Sequence, residues 1–272
     1  MYLLLGHKSV DCILSKVLQR FKGVNRWERY LHLLATHSYL QNLEGTISKK
    51  PVFSDIKGLK TVAPKYYDTV YKDFSKNSKV NTERLCNGFF DDVILELSKR
   101  SVDIHQTFSF LVRYIIIHSM QQYTKGTTED SLGLVIINGQ DHLEKEDYIE
   151  LMVHQMNHMI MFLDDKLNPQ VSNENKCLPI TLPINTAAGT RSMSFYVLLH
   201  SFMVGVEVLL FRKKFATESF HGAFHGSTSQ LTSRCMHAFH LLADKRDYLL
   251  PRGVWILEAY REQLSYFQEH FL

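Results

Sequence analysis

Apolar residues recur at helical spacing over most of the chain. Between Val10 and Leu43 they fall at Leu14, Val17, Leu18 and Phe21, then, after a break near Gly23, at Trp27, Tyr30, Leu31 and Leu34. Three-to-four spacing of this kind lays one face of a helix on a core. The same period returns at Tyr66–Phe74 and at Phe89, Phe90, Val93, Ile94 and Leu97. Phe108–Met120 reads as a buried helix, although the β-prone run Tyr114–Ile117 also permits a strand. Leu132–Asn138 is short, apolar and bounded by turn residues, which predicts a buried strand. Asp147–Asp165 is a helix with apolar residues on nearly every side, and Met193–Phe211 is a second. Amphipathic helices over Gln230–Ala243 and Gly253–Phe271 complete the chain.

The connections have their own texture. Thr46–Pro64 is rich in Lys, Gly and Pro and reads as a surface loop. Asn168–Thr190 carries Pro169, Pro179, Pro183 and Gly189 and reads as an irregular connection, long enough to suggest a functional role. The fold class expected is mainly α, one helical domain over residues 1–272 with a short strand near 132–138. The best candidate for a sub-boundary is the loop at 46–64.

Composition narrows the function classes. The net charge is +3 over 272 residues, too weak a bias to imply nucleic acid. Arg212, Lys213 and Lys214 close an apolar run, where cations suit a helix C-terminus. Cys12, Cys86, Cys177 and Cys235 match no zinc or Cys-x-x-Cys spacing, so they read as reduced thiols of a cytoplasmic protein. The N-terminal apolar run is too short for a signal peptide. Met193–Phe211 is long enough to cross a membrane, but it holds His200, Ser201 and Glu207 and has no partner span. It reads as a core helix, and no membrane partner is expected.

Histidines supply the candidate chemistry. There are 14, so pairs four apart arise by chance about 0.7 times, and spacing alone decides nothing. Context separates the two pairs present. His221 and His225 lie among glycines, which favours a loop. His154 and His158 lie inside the apolar helix, one turn apart on one face, within reach of a single metal ion. His200, in the next buried helix, offers a third nitrogen and completes a buried two-helix metal core. A core imidazole bonded to backbone explains each histidine equally well taken singly. Glu207, two turns beyond His200, is a candidate to support a ligand or to act as one, and Asp165 is a further carboxylate candidate. Arg191, at the mouth of the second helix, suits a carboxylate through two parallel hydrogen bonds.

Three segments together resemble the 2-oxoglutarate- and Fe(II)-dependent peptide β-hydroxylases of the His-Glu-x-x-His type, which tailor ribosomally made peptides. They are the strand Gly133–Ile137 leading through Asp147 to Leu151–His158, the Arg191 to His200 segment, and the tail from Leu249 to Leu257. The resemblance covers residues 132–272. It implies that His154, His158 and His200 hold Fe(II), that Arg191 binds 2-oxoglutarate, and that the partner is a precursor peptide. One position departs from the pattern. Gln155 stands where the family has glutamate, and glutamine cannot take a proton. A zinc hydrolase on the same histidines would therefore lack its general base. A non-catalytic peptide-binding protein is the remaining alternative.

Overall fold

A computed structural model describes residues 2–38, 40, 51–70, 88–118, 128–138, 143–183, 190–216 and 222–272. The protein is mainly α-helical with a few short strands. Backbone contacts divide it into two compact units, His7–Phe162 and Leu163–Leu272 joined by Met1–Gly6. The division falls inside a helix.

The His7–Phe162 unit begins with helix α2 (His7–Leu18) and α3 (Arg26–His37), following a short α1 (Tyr2–Leu5) that belongs to the other unit. Asn25 starts α3: its side chain accepts from the Glu28 N–H, and the Glu28 carboxylate accepts from the Val24 N–H. Each bond satisfies a main-chain donor at the helix start. Strand β1 (Val52–Asp55), α4 (Ile56–Val62) and α5 (Pro64–Val70) follow. The described part of the expected loop at 46–64 is thus a strand and a helix, because Leu59 and Ala63 are fully buried and the strand has a partner to pair with. Then come α6 (Phe89–Arg100), α7 (Val102–Leu111), β2 (Tyr114–His118) and β3 (Leu134–Asn138).

The three strands form a parallel sheet in the order β1-β2-β3, with Val52 beside Tyr114 and Tyr114 beside Leu134. In its described part, the segment Phe108–Met120, read as a buried helix with a strand permitted at Tyr114–Ile117, therefore divides between α7 and β2. Ile115, Ile116 and Ile117 are buried throughout. A parallel strand covered on both faces shows no alternation, so a continuous apolar run is ambiguous until its β-branched residues are weighed. Arg113, at the entry to β2, is also buried and lies 4.2 Å from the Trp27 ring, and desolvation lowers its pKa to about 10.

Helix α8 (Lys145–Leu167) runs out of the first unit. Beyond it the second unit holds β4 (Pro179–Pro183), β5 (Thr190–Ser194), α9 (Phe195–Phe215), α10 (Thr228–Ala243) and α11 (Pro251–Phe271). The described part of the connection Asn168–Thr190 contains β4, which pairs antiparallel with β5, and Val171 bridges to Leu249. Ser194 caps α9 and Ser227 caps α10, each through its side-chain oxygen. Helix α9 is the one described helix long and apolar enough to cross a membrane, yet 78% of its most apolar window is buried inside the protein. Helices α10, α11 and α1 cover it.

The contact of α9 with α10 depends on a missing side chain. A Cβ on Gly205 would stand 2.6 Å from Cys235 Sγ. Burial pushes the Cys235 thiol up to about 12, so it stays protonated and acts as a packing group. Gly205→Ala is expected to cost about 1–3 kcal/mol through overpacking. Adding Cys235→Ala should restore part of that loss in thermal denaturation. Independent, additive losses in the double variant would contradict the contact.

Candidate functional site

Helix α8 carries the histidine pair, and its N-terminal half is fixed at several points. The Glu144 N–H donates to Asp147 Oδ2 at 3.1 Å, which secures the first turn. Arg100 forms a bidentate pair with Glu146, and Lys145 reaches Asp92 at 3.1 Å. The Tyr148 ring packs edge-on against Phe89 and Phe90, with centroids 5.3 Å apart in both cases. These contacts bind α8 to α6 within the first unit.

Between Asp147 and Asp165 every residue is buried except two, His154 and His158. The expectation that both imidazoles are buried is therefore corrected. They are the points at which an otherwise enclosed helix keeps access to solvent. Their Nε2 atoms face each other at 3.1 Å, with ring centroids 4.8 Å apart. The spacing of one helical turn produces this convergence. The His158 and Phe162 rings lie nearly parallel, with centroids 6.2 Å apart. Gln155 and Asn157 flank the pair and are buried; Asn157 donates back to the Val153 carbonyl at 3.0 Å.

The distance between the two nitrogens admits two chemistries. It is a normal hydrogen bond between one protonated and one bare imidazole nitrogen. It is also the separation of two ligands on one ion: nitrogens about 2.1 Å from a metal and 90–110° apart stand roughly 3.0–3.4 Å from each other. Among the described residues no group of three or more His, Cys, Asp or Glu side chains is gathered to hold a metal ion.

The other candidates lie in the second unit. His200 is 3% exposed within α9, and the Tyr196 ring stands 4.1 Å from it, centroid to centroid. Arg191 lies in β5 opposite Leu182. His225 sits in a turn against the Phe224 ring, while His221 and Cys86 lie outside the described residues. Both carboxylate candidates are engaged by protein donors. Glu207 accepts from the Leu3 N–H at 2.8 Å, the Leu4 N–H at 3.1 Å and the Tyr260 hydroxyl at 2.7 Å. It therefore fastens the first turn of α1, and burial followed by the nearby Glu207 charge raises the Tyr260 pKa well above its usual value. Asp165 accepts from the Gln170 N–H at 2.8 Å, from Lys176 at 2.7 Å and from the Tyr196 hydroxyl at 3.0 Å. These bonds give both carboxylates a structural role.

Beside Asp165 stands an arrangement that sequence reasoning did not anticipate. Asp164 is fully buried and receives Arg252 through two parallel bonds of 2.8 and 3.0 Å. Asn168 and Gln170 donate to the same carboxylate at 3.2 and 3.3 Å. Gly253 follows, and a Cβ there would lie 2.2 Å from the Gln170 carbonyl oxygen. The tail segment Leu249–Leu257 thus owes its arginine and glycine to packing: one neutralises a buried charge and the other lets α11 approach the backbone. The signal was the adjacent Arg252 and Gly253 just after Pro251, where a helix starts.

No family model and no curated protein matches the chain.

Proposed function

We propose that this protein is a non-haem Fe(II)- and 2-oxoglutarate-dependent oxygenase that hydroxylates a side-chain β-carbon of a ribosomally made precursor peptide. The observation that supports this most is the pair His154 and His158. They alone keep solvent access along Asp147–Asp165, and their Nε2 atoms converge to 3.1 Å. A catalytic metal needs ligands in a firm scaffold together with open positions for substrate, and an accessible pair on a buried helix meets the first need without closing the second. The pair fits two ligands of one ion in separation and donor type.

In this reading each histidine carries its proton on Nδ1 and presents a bare Nε2. His200 is the third donor that the sequence names. Arg191 takes the far carboxylate of 2-oxoglutarate, where a planar guanidinium offers two parallel bonds. Bound iron would supply the oxygen chemistry that no side chain can perform. The overall balance is peptide C–H, O₂ and 2-oxoglutarate giving peptide C–OH, succinate and CO₂. Gln155 has no proton to take from water, so the hydrolase alternative has no base at that position.

The test supplies Fe(II), 2-oxoglutarate and O₂ together with peptides from the short reading frames encoded beside this protein. One oxygen atom should appear on the peptide as succinate forms in equal amount. If zinc-loaded protein cleaves peptides instead, and His154→Ala abolishes the cleavage, the hydrolase reading replaces this one. If neither reaction occurs, the catalytic reading gives way to the non-catalytic peptide-binding alternative. Arg191→Lys should raise the KM for 2-oxoglutarate about tenfold or more and leave that for peptide nearly unchanged, since an ammonium cannot reproduce the fork. Equal increases in both would remove Arg191 from the co-substrate site.

A further inference from the structure

The hairpin β4–β5 has two unlike edges. The Phe195 N–H donates to the Leu178 carbonyl at 2.8 Å, and this bond sets the phase of the ladder. In an antiparallel pair, bonded and non-bonded pairs alternate. Ile180 with Met193 and Leu182 with Arg191 are therefore the bonded pairs. Pro179 with Ser194, Thr181 with Ser192, and Pro183 with Thr190 direct their main-chain groups outward. On the β4 side, two of the three outward positions are proline and offer no N–H. Proline on an edge is a common device against unwanted pairing. On the β5 side, Thr190, Ser192 and Ser194 keep their N–H groups. Ser192 is exposed, and among the described residues no hydrogen bond reaches its outward main-chain groups. One edge is blocked and the other is left able to pair.

We infer that the outer edge of β5 binds an extended peptide as an added strand. Resting on the reading of the protein as a peptide hydroxylase, this names the mode by which that peptide is held. Strand addition takes affinity from main-chain bonds, so it accepts variable sequences and leaves alternate side chains for selection. Strand β5 holds Arg191 and passes directly into α9, of which His200 is the sixth residue. A peptide paired there is anchored beside the segment assigned to co-substrate. A second copy of the chain is the poorer guest. A five-residue strand spans about 17 Å, and such a contact buries on the order of a few hundred Å², well short of the roughly 1,200 Å² of a stable dimer.

Panning a random peptide display library on the metal-free protein tests this. Peptides enriched on the wild type should lose at least tenfold in affinity on Ser192→Pro, which removes an outward N–H and no β4–β5 bond. Thr181→Pro, the matching change on the blocked edge, should leave affinity within twofold. Circular dichroism establishes that both variants fold. A second measurement leaves the protein unaltered: N-methylation along an enriched peptide should abolish binding at every second residue. No enriched peptide, equal binding to Ser192→Pro, or a methylation profile without that period would overturn the inference. So would a dimer in light scattering that Ser192→Pro dissolves, since the guest is then a second copy. Binding is read without iron or 2-oxoglutarate. Absence of turnover in a protein that pairs with the peptide thus removes the oxygenase reading, and turnover of a peptide whose binding Ser192→Pro leaves unchanged removes this one.

Discussion

His154→Ala and His158→Ala each abolish uptake of Fe(II) while the protein keeps its helical spectrum and loses no more than about 1 kcal/mol of stability. Both halves of this expectation come from the same observation. The two imidazoles converge on one point, so removing either leaves a single nitrogen and destroys chelation. Both side chains keep solvent access, and partly exposed positions outside the packed core are cheap to truncate. The surrounding helix does not depend on them: Leu151, Met152, Val153, Met156, Met159 and Ile160 remain buried around the pair. A chain of this size can also fold without a metal staple. Iron content by elemental analysis after anaerobic loading, together with thermal denaturation, checks the prediction. Unchanged iron in both variants would remove the pair from the metal site. A collapse in stability with iron binding lost would make the pair structural.

The second large effect is on stability and has an asymmetry built into it. Asp164 is fully buried, whereas the Arg252 side chain is 23% exposed. Arg252→Ala strands a charge in the interior with only Asn168 and Gln170 left to bond it. Breaking a buried pair from that side costs about 3–5 kcal/mol. Asp164→Ala leaves an arginine that can turn toward water and continue to lie over Trp255, where it stands 4.5 Å from the ring. Its cost should fall to about 2–3 kcal/mol, nearer that of lost charge-assisted bonds. Urea denaturation of the two variants should therefore rank Arg252→Ala as the less stable. Arg252→Lys should recover little, because the bidentate geometry requires the guanidinium fork. The reverse ranking would show that the buried carboxylate is satisfied by its amide partners alone.

The features that could be read in advance are those with short-range causes. Helices α8 and α9 were legible because apolar residues crowd every side of them, and the histidine pair because four residues make one helical turn. The parallel sheet was only half legible. Leu134–Asn138 stood out between turn residues, but Tyr114–Ile117 merged into a longer apolar run, and Val52–Asp55 looked like loop among lysines and prolines. Each strand is defined by partners far along the chain. The carboxylates show the same limit. Glu207 was read as a candidate for metal support because it shares a face with His200, yet its bonds run to Leu3 and Leu4, more than 200 residues away. Asp164 and Arg252 are 88 residues apart, and no periodicity links them. Long-range polar pairing leaves no local pattern, so buried acids are easily mistaken for site residues.

The proposal that His154 and His158 hold catalytic iron is tested most directly by metal analysis of the wild-type protein purified without oxygen. One equivalent of iron per chain, with slow conversion of 2-oxoglutarate to succinate in the absence of peptide, is the result the account predicts. Zinc accompanied by peptide cleavage, or the absence of metal after saturating Fe(II), would contradict it.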